Sequence, residues 1–219
     1  MITVTLTEPW LEMDFGRELQ VLSWAVNKPG FAKASRILWR EVNNRDLPRD
    51  MDVCEWLGRE LHARDAQDAV TFLTSRRITV FEQSIAHVGH TTAHAVATVG
   101  LSNAERIGHR VDYSNRNWGT INIAVSLNRG LTQVAMIEAM SIAVAARTVA
   151  VMEMQFSLPT GVATGTGTDC VAIAAPRGPS EYAGMHTEIG EAIGRAVYDA
   201  VKLGAQNWGA EQWEKNRRA

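Results

Sequence analysis

The residues best suited to chemistry in this 219-residue chain lie in one short run of threonine, glycine and aspartate. The run reads Thr-Gly-Thr-Gly-Thr-Asp over residues 164–169 and directly precedes an apolar run, 170–175, that predicts a buried strand. Glycine allows close approach of the backbone, and each threonine hydroxyl both donates and accepts hydrogen bonds. This Gly/Thr loop can therefore hold a polar group at the mouth of a sheet. A plain turn between strands is the alternative interpretation.

Two further polar clusters precede the Gly/Thr loop in the chain. Ser102 and Asn103 follow a predicted strand, and an asparagine there could donate to a substrate carbonyl or merely form a turn. Thr120 and Asn122 lie in another predicted strand, where alternate residues share one face. That pair indicates either a half-exposed strand or a binding surface.

Three histidines, His87, His90 and His94, have a spacing that would place them on one face of a helix, as in a zinc site. The same stretch is better described as a β-hairpin that turns near Gly89, which separates the rings. We therefore predict no metal site there. His62 and His109 lie among charged residues and are predicted to be on the surface.

His186 stands at the start of a predicted helix, shortly after the 170–175 strand. An imidazole in that place could act as a general acid or base near neutral pH. The alternative is a helix-capping segment, with Thr187 as the N-cap and Glu188 favoured by the positive end of the helix dipole.

The composition narrows the class of protein. A net charge of −2 does not favour nucleic acid or an anionic membrane as partner. The apolar stretch 130–155 is interrupted by Glu138, Arg147 and Glu153, so we expect no membrane span, and no signal peptide is recognised at the start. Two cysteines are too few for a disulfide framework or a zinc knuckle, and Cys170 is expected in the core. A cytoplasmic location is the simplest expectation.

The order of the predicted elements indicates a layered α/β or α+β domain, with a mixed sheet flanked by long helices. Strands are predicted over 2–6, 10–15, 19–26, 37–42, 69–73, 78–88, 92–101, 119–127 and 170–175. Helices are predicted over 50–64, with Asp50 as N-cap, and over 131–154 and 186–203. We expect one domain over 1–206 and a partly ordered tail over 207–219. The apolar surfaces of the two long helices favour a homodimer.

Four strings of this sequence, taken in order, resemble the adenosylcobinamide amidohydrolase family, and the segments 21–25 (VLSWA) and 72–76 (FLTSR) resemble its bacterial branch. The four strings are Val99–Ala104 (VGLSNA), Gly119–Asn122 (GTIN), Ala163–Asp169 (ATGTGTD) and Tyr182–Thr187 (YAGMHT). The resemblance runs from about residue 19 to residue 202. It implies hydrolysis of the linear amide that joins the aminopropanol arm or the nucleotide loop to a corrinoid, such as adenosylcobinamide or pseudocobalamin. The product would be adenosylcobyric acid, for salvage into coenzyme B12. No cofactor is implied, since cobalt enters only with the substrate.

The long helix departs from the family at one position. Ala145, two residues before Arg147, stands where the family carries a glutamate, so the resemblance implies that activity is impaired if that glutamate takes part. A non-catalytic corrinoid-binding protein is therefore one alternative function, and a metal-dependent hydrolase that uses the three histidines is another.

Amide hydrolysis needs a nucleophile, a proton donor for the departing amine and a group that stabilises the oxyanion. We favour water activated by Asp169 or His186, with loop hydroxyls or amides holding the oxyanion; a loop threonine as nucleophile is the other route. The predicted catalytic residues are Asp169, His186, Thr168 and Thr166. The predicted substrate-binding residues are Ser102, Asn103, Thr120, Asn122, Thr164, Gly165, Gly167, Thr187 and Glu188.

Overall fold

The computed structural model describes residues 2–43, 46–48, 50–111 and 119–218. Alternating apolar runs become strands, and the three segments with helical periodicity become helices. The strands are β1 Thr3–Thr7, β2 Trp10–Ser23, β3 Gly30–Glu41, β4 Val70–Thr74, β5 Glu82–Val88, β6 Thr91–Val99, β7 Ala104–Glu105, β8 Ile121–Leu127, β9 Ser157–Leu158, β10 Gly161–Val162, β11 Gly165–Thr166 and β12 Cys170–Ala175. The helices are α1 Val53–Ala63, α2 Gln133–Glu153 and α3 Glu188–Arg218.

One mixed sheet of eight strands organises the molecule. Its order is β4-β3-β2-β12-β8-β6-β5, and β1 pairs with the first half of β2. β12 runs parallel to β8 and antiparallel to the second half of β2. The fold class predicted from the sequence, a mixed sheet flanked by long helices, is confirmed. We call the edge where β8 and β12 begin the amino edge and the edge where they end the carboxyl edge.

Helices α2 and α3 cover one face of this sheet. Small and branched side chains from β6, β8 and β12 pack there against the buried stripes of both helices, among them Ala139, Ala143 and Val197. Small residues bring the helix axes close to the sheet. Both helices begin at the carboxyl edge and run toward the amino edge, so that the last turns of α2 lie beside the start of β12.

The sheet curls over its other face. A bulge in β2, between Asp14 and Leu19, contains Gly16 at φ +65° and bends the strand. The first half of β2 then packs with β3 and β4 back over β6, β8 and β12 and encloses a second core with Trp39 and Phe72. The Trp39 indole donates to the Asn122 carbonyl across this curl at 3.4 Å.

Several predicted boundaries change. The two predicted strands 10–15 and 19–26 form the single bulged strand β2. The N-cap of α1 is Asp52, whose carboxylate accepts from the Cys54 and Glu55 amides, so the prediction of Asp50 was wrong. Helix α3 continues through the predicted tail to Arg218. The division of the chain at residue 207 stays a prediction.

Helix α2 is long and apolar enough, by length and composition, to cross a membrane. Core helices of globular domains meet the same criteria, and α2 packs against β12 and α3. The three charged residues that interrupt its apolar sequence each have a bonding partner. Glu138 accepts the Ala183 amide at 2.7 Å, Glu153 pairs with Lys202, and Arg147 pairs with Asp169.

Candidate active site

The Gly/Thr loop is held along the short strand β7 at the amino edge. β11, within the loop, pairs antiparallel with β7, which places Gly165 opposite Glu105. Thr164, which directly precedes β11, adds two bonds to this pairing. Its amide donates to the Glu105 carbonyl at 2.8 Å, and its hydroxyl accepts a hydrogen bond from the Ile107 amide at 2.8 Å. The polar cluster that ends at Ala104 and the Gly/Thr loop are therefore direct neighbours, although sixty residues of chain separate them.

Asp169 is the centre of this loop. One carboxylate oxygen accepts the Ile121 amide at 3.1 Å and the Thr166 hydroxyl; the other accepts the Thr166 amide at 2.9 Å and pairs with the Arg147 guanidinium. Only 8 % of the Asp169 side chain is exposed. Four donor groups therefore converge on this carboxylate. It fixes the shape of the loop, and it has little free acceptor capacity for activating water.

Arg147 reaches the loop from α2. Its side chain is 13 % exposed, and burial lowers the pKa of its guanidinium from the ordinary value. Glycine at position 165 leaves room for this contact, because a Cβ there would overlap Arg147 Nη1 and lie 2.6 Å from Asp169 Oδ2, so that the ion pair would have to shift. Glycine at position 165 thus lets the arginine lie against the loop backbone.

A second set of bonds ties the loop to β8. The Thr168 hydroxyl donates to the Gly119 carbonyl at 2.8 Å and accepts from the Asn103 amide at 3.3 Å. The Thr120 hydroxyl donates to the Thr168 carbonyl at 2.7 Å, and Asn122 donates to the Leu73 carbonyl at 2.7 Å. Most of the side chains predicted to bind substrate are thus bonded to the protein itself.

Asn103 is bonded only through its amide nitrogen, and Ser102 is exposed. Asn103 is 4 % exposed, and its Oδ1 is buried without a hydrogen-bond partner within the described part of the chain. Ser102 is exposed, and its amide lies 2.7 Å from where a Cβ of Gly119 would stand. Such a contact is available only to glycine, so the Gly119 backbone and the turn at Ser102 pack directly on each other.

A cavity of about 470 Å³ opens where the Gly/Thr loop, β7 and α2 meet. The lining residues are Glu105, Arg106, Ile107, Gly108, His109, Arg110, Val144, Arg147, Thr148, Thr164, Gly165, Thr166 and Gly167. Among the described lining residues, three arginines stand against one glutamate, so this part of the wall is mostly cationic. We call it the arginine-rich cavity. It is within the size range of small-molecule sites, about 300–1,000 Å³.

Three charged residues of this lining were not assigned a role from the sequence. Glu105, Arg106 and Arg110 follow the Asn103 cluster directly, and only the pairing of β7 with β11 turns them toward the loop. His109, predicted to be a surface residue, is exposed but lines the cavity. The one sequence feature that could have indicated their role is the high density of charged residues directly after the predicted turn at Ser102 and Asn103.

Ala145 lies on the exposed side of α2. Its neighbours Val144, Arg147 and Thr148 line the arginine-rich cavity, whereas Ala145 itself is outside its lining. A side chain at this position projects toward solvent beside the cavity mouth.

His186, Thr187 and Glu188 lie at the carboxyl edge, away from Asp169. β12 separates the two places, and its six residues span about 20 Å at ~3.3 Å per residue. Thr187 caps α3, since its hydroxyl accepts the Gly190 amide at 3.0 Å. Glu188 accepts the His90 amide at 3.1 Å in the β5–β6 turn, and His186 is exposed. The structure therefore does not bring His186 and Asp169 together, and the helix-cap interpretation of this segment describes the geometry.

The hairpin predicted for the three neighbouring histidines is confirmed by β5 and β6. His87 is exposed and bonds Thr92 at 3.0 Å, whereas His94 is 7 % exposed and bonds Gln83 at 3.0 Å. Over the described residues, no group of three histidine, cysteine, aspartate or glutamate side chains has the geometry to hold a metal ion.

One family model agrees with the resemblance seen in the sequence. The family model described as adenosylcobinamide amidohydrolase (CbiZ) matches residues 2–212. An uncharacterised protein of Methanocaldococcus jannaschii, MJ1613, is 38 % identical over 87 residues. That match covers 38 % of this chain and 34 % of the relative, so it spans about a third of that protein's length. The crystal structure of the PH0078 protein from Pyrococcus horikoshii OT3 is 10 % identical, with a TM-score of 0.41 over 93 % of this chain and 82 % of that one.

The family match extends over both cores, the Gly/Thr loop and all walls of the arginine-rich cavity. This chain belongs to the adenosylcobinamide amidohydrolase family.

Proposed function

We propose that this protein hydrolyses the amide bond between the corrin ring and the aminopropanol arm, or the nucleotide loop, of adenosylcobinamide or a related corrinoid. The products are adenosylcobyric acid and the released amine, and the reaction serves corrinoid salvage. The observation that carries the proposal is the arginine-rich cavity, whose wall is the Gly/Thr loop of a chain matched by the family model over residues 2–212.

The charge of this cavity favours a substrate arm that carries an anion. Arg106 and Arg110 line it in addition to Arg147, and only the last is paired with Asp169. Arginine binds phosphate through two parallel hydrogen bonds. The phosphodiester of a nucleotide loop would use such donors, whereas the hydroxyl of a bare aminopropanol arm would not. We therefore expect corrinoids with a phosphate-bearing arm to be bound more tightly than adenosylcobinamide.

Glu105 is the group we assign to activate water. Its side chain is half-buried on the cavity wall, and its carboxylate forms no hydrogen bond or ion pair with other described residues. The Glu105 side chain lies beside the Gly/Thr loop, since a Cβ on Gly167 would be 3.9 Å from Glu105 Cγ. Asp169, by contrast, is already bonded by the loop and by Arg147. An acceptor that is free and faces the cavity is the better general base.

In this mechanism Glu105 takes a proton from water as the water oxygen bonds to the amide carbon. The carbonyl electrons move to oxygen, and that oxyanion is stabilised by the nearby guanidinium of Arg147, since the loop hydroxyls already donate to protein acceptors. The carbon–nitrogen bond then breaks, and the departing amine takes a proton from His109 or from protonated Glu105. Asp169 holds the loop in place throughout and exchanges no proton.

The direct test is incubation with adenosylcobinamide, and separately with adenosylpseudocobalamin, followed by mass spectrometry for adenosylcobyric acid. Glu105→Gln should lower kcat by about 10²- to 10⁴-fold without changing the thermal midpoint. The matched control is Glu18→Gln on β2, whose side chain is 61 % exposed beside Lys33. Absence of adenosylcobyric acid with the unaltered protein would refute the proposed function.

The departure at Ala145 is tested in the same assay. Because Ala145 is exposed beside the cavity mouth, Ala145→Glu should fold normally. If the missing glutamate takes part in the reaction, this variant gains activity. Equal activity of both proteins would show that Glu at this position is dispensable, and binding of the corrinoid without turnover by either would favour a non-catalytic corrinoid-binding protein.

A further inference from the structure

A second cavity lies on the other side of the Gly/Thr loop. It has a volume of about 300 Å³ and opens at the amino-edge mouth of the curled sheet. Its lining residues are Val26, Val42, Asn43, Leu47, Leu73, Ser75, Gly119, Thr120 and Thr168. Thr164 to Gly167 face the arginine-rich cavity, whereas Thr168 faces this one. The loop is thus a partition between two adjacent spaces.

The two spaces differ in chemistry. Among the described residues that line the second cavity, none carries a charge at neutral pH, so we call it the neutral cavity. Four aliphatic side chains supply apolar surface, and the hydroxyl oxygens of Thr120 and Thr168, whose protons are donated within the protein, supply uncharged acceptors. Such a lining suits an uncharged group that is partly apolar and has several hydrogen-bonding atoms. The volume is at the lower end for small-molecule sites, about 300–1,000 Å³, and therefore suits a compact group.

An exposed tryptophan stands beside this cavity. The Trp24 indole donates to the Asp169 carbonyl at 2.7 Å, which fixes the ring next to Thr168, yet 48 % of the residue remains exposed. Val26, two residues further along the chain, lines the cavity and is 41 % exposed. A tryptophan that is held rigidly with an open face is a good stacking surface for a flat heteroaromatic ring.

We infer that the neutral cavity binds the adenosyl group of the corrinoid, an inference that rests on the proposed function. Of the parts of adenosylcobinamide, the adenosyl group is compact, uncharged, flat at its base and rich in hydrogen-bonding atoms. The corrin macrocycle is too broad for this space, and a phosphate-bearing arm is better matched by the arginines across the loop. The partition therefore separates recognition of the upper ligand from cleavage of the amide arm.

The experiment compares two substrates that differ only in the upper ligand, adenosylcobinamide and methylcobinamide. Val26→Phe adds bulk at the mouth of the neutral cavity. We expect it to raise KM for adenosylcobinamide by about tenfold or more, a loss of the size expected for one displaced group, and to leave kcat/KM for methylcobinamide unchanged. Val134→Phe is the matched control, because Val134 is 71 % exposed at the carboxyl-edge end of α2. An equal effect on both substrates, or none on either, would overturn the inference.

Direct binding separates this inference from the proposed function. Calorimetry with 5′-deoxyadenosine as the probe should detect binding to the unaltered protein and to Val134→Phe, and loss of binding in Val26→Phe. No binding to the unaltered protein at millimolar probe would overturn the adenosyl assignment, whether or not the amide is hydrolysed. If the probe binds as expected but no corrinoid is cleaved, the proposed function fails and the nucleoside site remains.

Discussion

Replacing Asp169 by asparagine tests how the loop is built. The change keeps the size of the side chain and one oxygen, which can still accept from the Ile121 amide and the Thr166 hydroxyl. The new amide nitrogen, however, faces the Thr166 amide and the Arg147 guanidinium, which are both donors. The guanidinium is then left without its counter-charge at 13 % exposure.

Breaking a buried ion pair by removing one partner costs about 3–5 kcal/mol, because an uncompensated charge stays buried. In a chain of this length each kcal/mol shifts the thermal midpoint by about 2–4 °C. We therefore expect Asp169→Asn to lower the midpoint by about 6–20 °C, measured by circular dichroism. Activity should fall as well, because the loop that walls the cavity loses its anchor.

A double-mutant cycle provides the control. Arg147→Met removes the charge but keeps much of the side-chain length, and in that background Asp169→Asn no longer leaves a guanidinium unpaired. The cost of Asp169→Asn should then fall by ~1 kcal/mol or more, within the usual range for residues in contact. If Asp169→Asn abolished turnover while the midpoint moved by less than about 2 °C and the two changes were additive, Asp169 would be a catalytic base and our reasoning would be wrong.

Three further outcomes are expected. Gly165→Ala should destabilise the protein and lower activity, because its Cβ would meet a guanidinium at 2.2 Å, whereas Gly167→Ala has 3.9 Å of clearance and should leave the thermal midpoint within a degree or two. Burial raises the pKa of the Cys170 thiol to about 12, so Ellman's reagent should titrate only exposed Cys54 in the folded protein and both thiols in denaturant; two fast thiols would contradict this. Burial lowers the pKa of His94 below its ordinary 6.5, so the unfolded state binds the proton first and stability should be lost as pH falls below about 6.5. His94→Gln should flatten the decline in urea midpoint between about pH 7 and about pH 5, and an unchanged slope would exclude this origin.

Local pattern was sufficient for much of this fold. The 170–175 strand, the hairpin around Gly89 and the long apolar helix α2 each follow from hydrophobic period and turn chemistry within one segment. Thr187 as the cap of α3 also follows from residue type at a helix start. The family, too, was recognisable from four short strings. The sequence predicted two strands where the structure has the single strand β2. The break in the hydrophobic pattern near Gly16 is a bulge, and a bulge depends on the partner strands, which the local pattern does not show.

What the sequence determined by itself is therefore the set of segments and the identity of the Gly/Thr loop. Only the tertiary structure decided which residues meet there. His186 is close to Asp169 in the chain, but the intervening strand carries it to the opposite edge of the sheet, about 20 Å away at ~3.3 Å per residue. Arg147 and Glu105 come from a helix and a strand elsewhere in the chain and reach the loop. The physical reason is that an ion pair, a cavity wall or a strand pairing depends on distance in space, which the local period of a sequence does not encode.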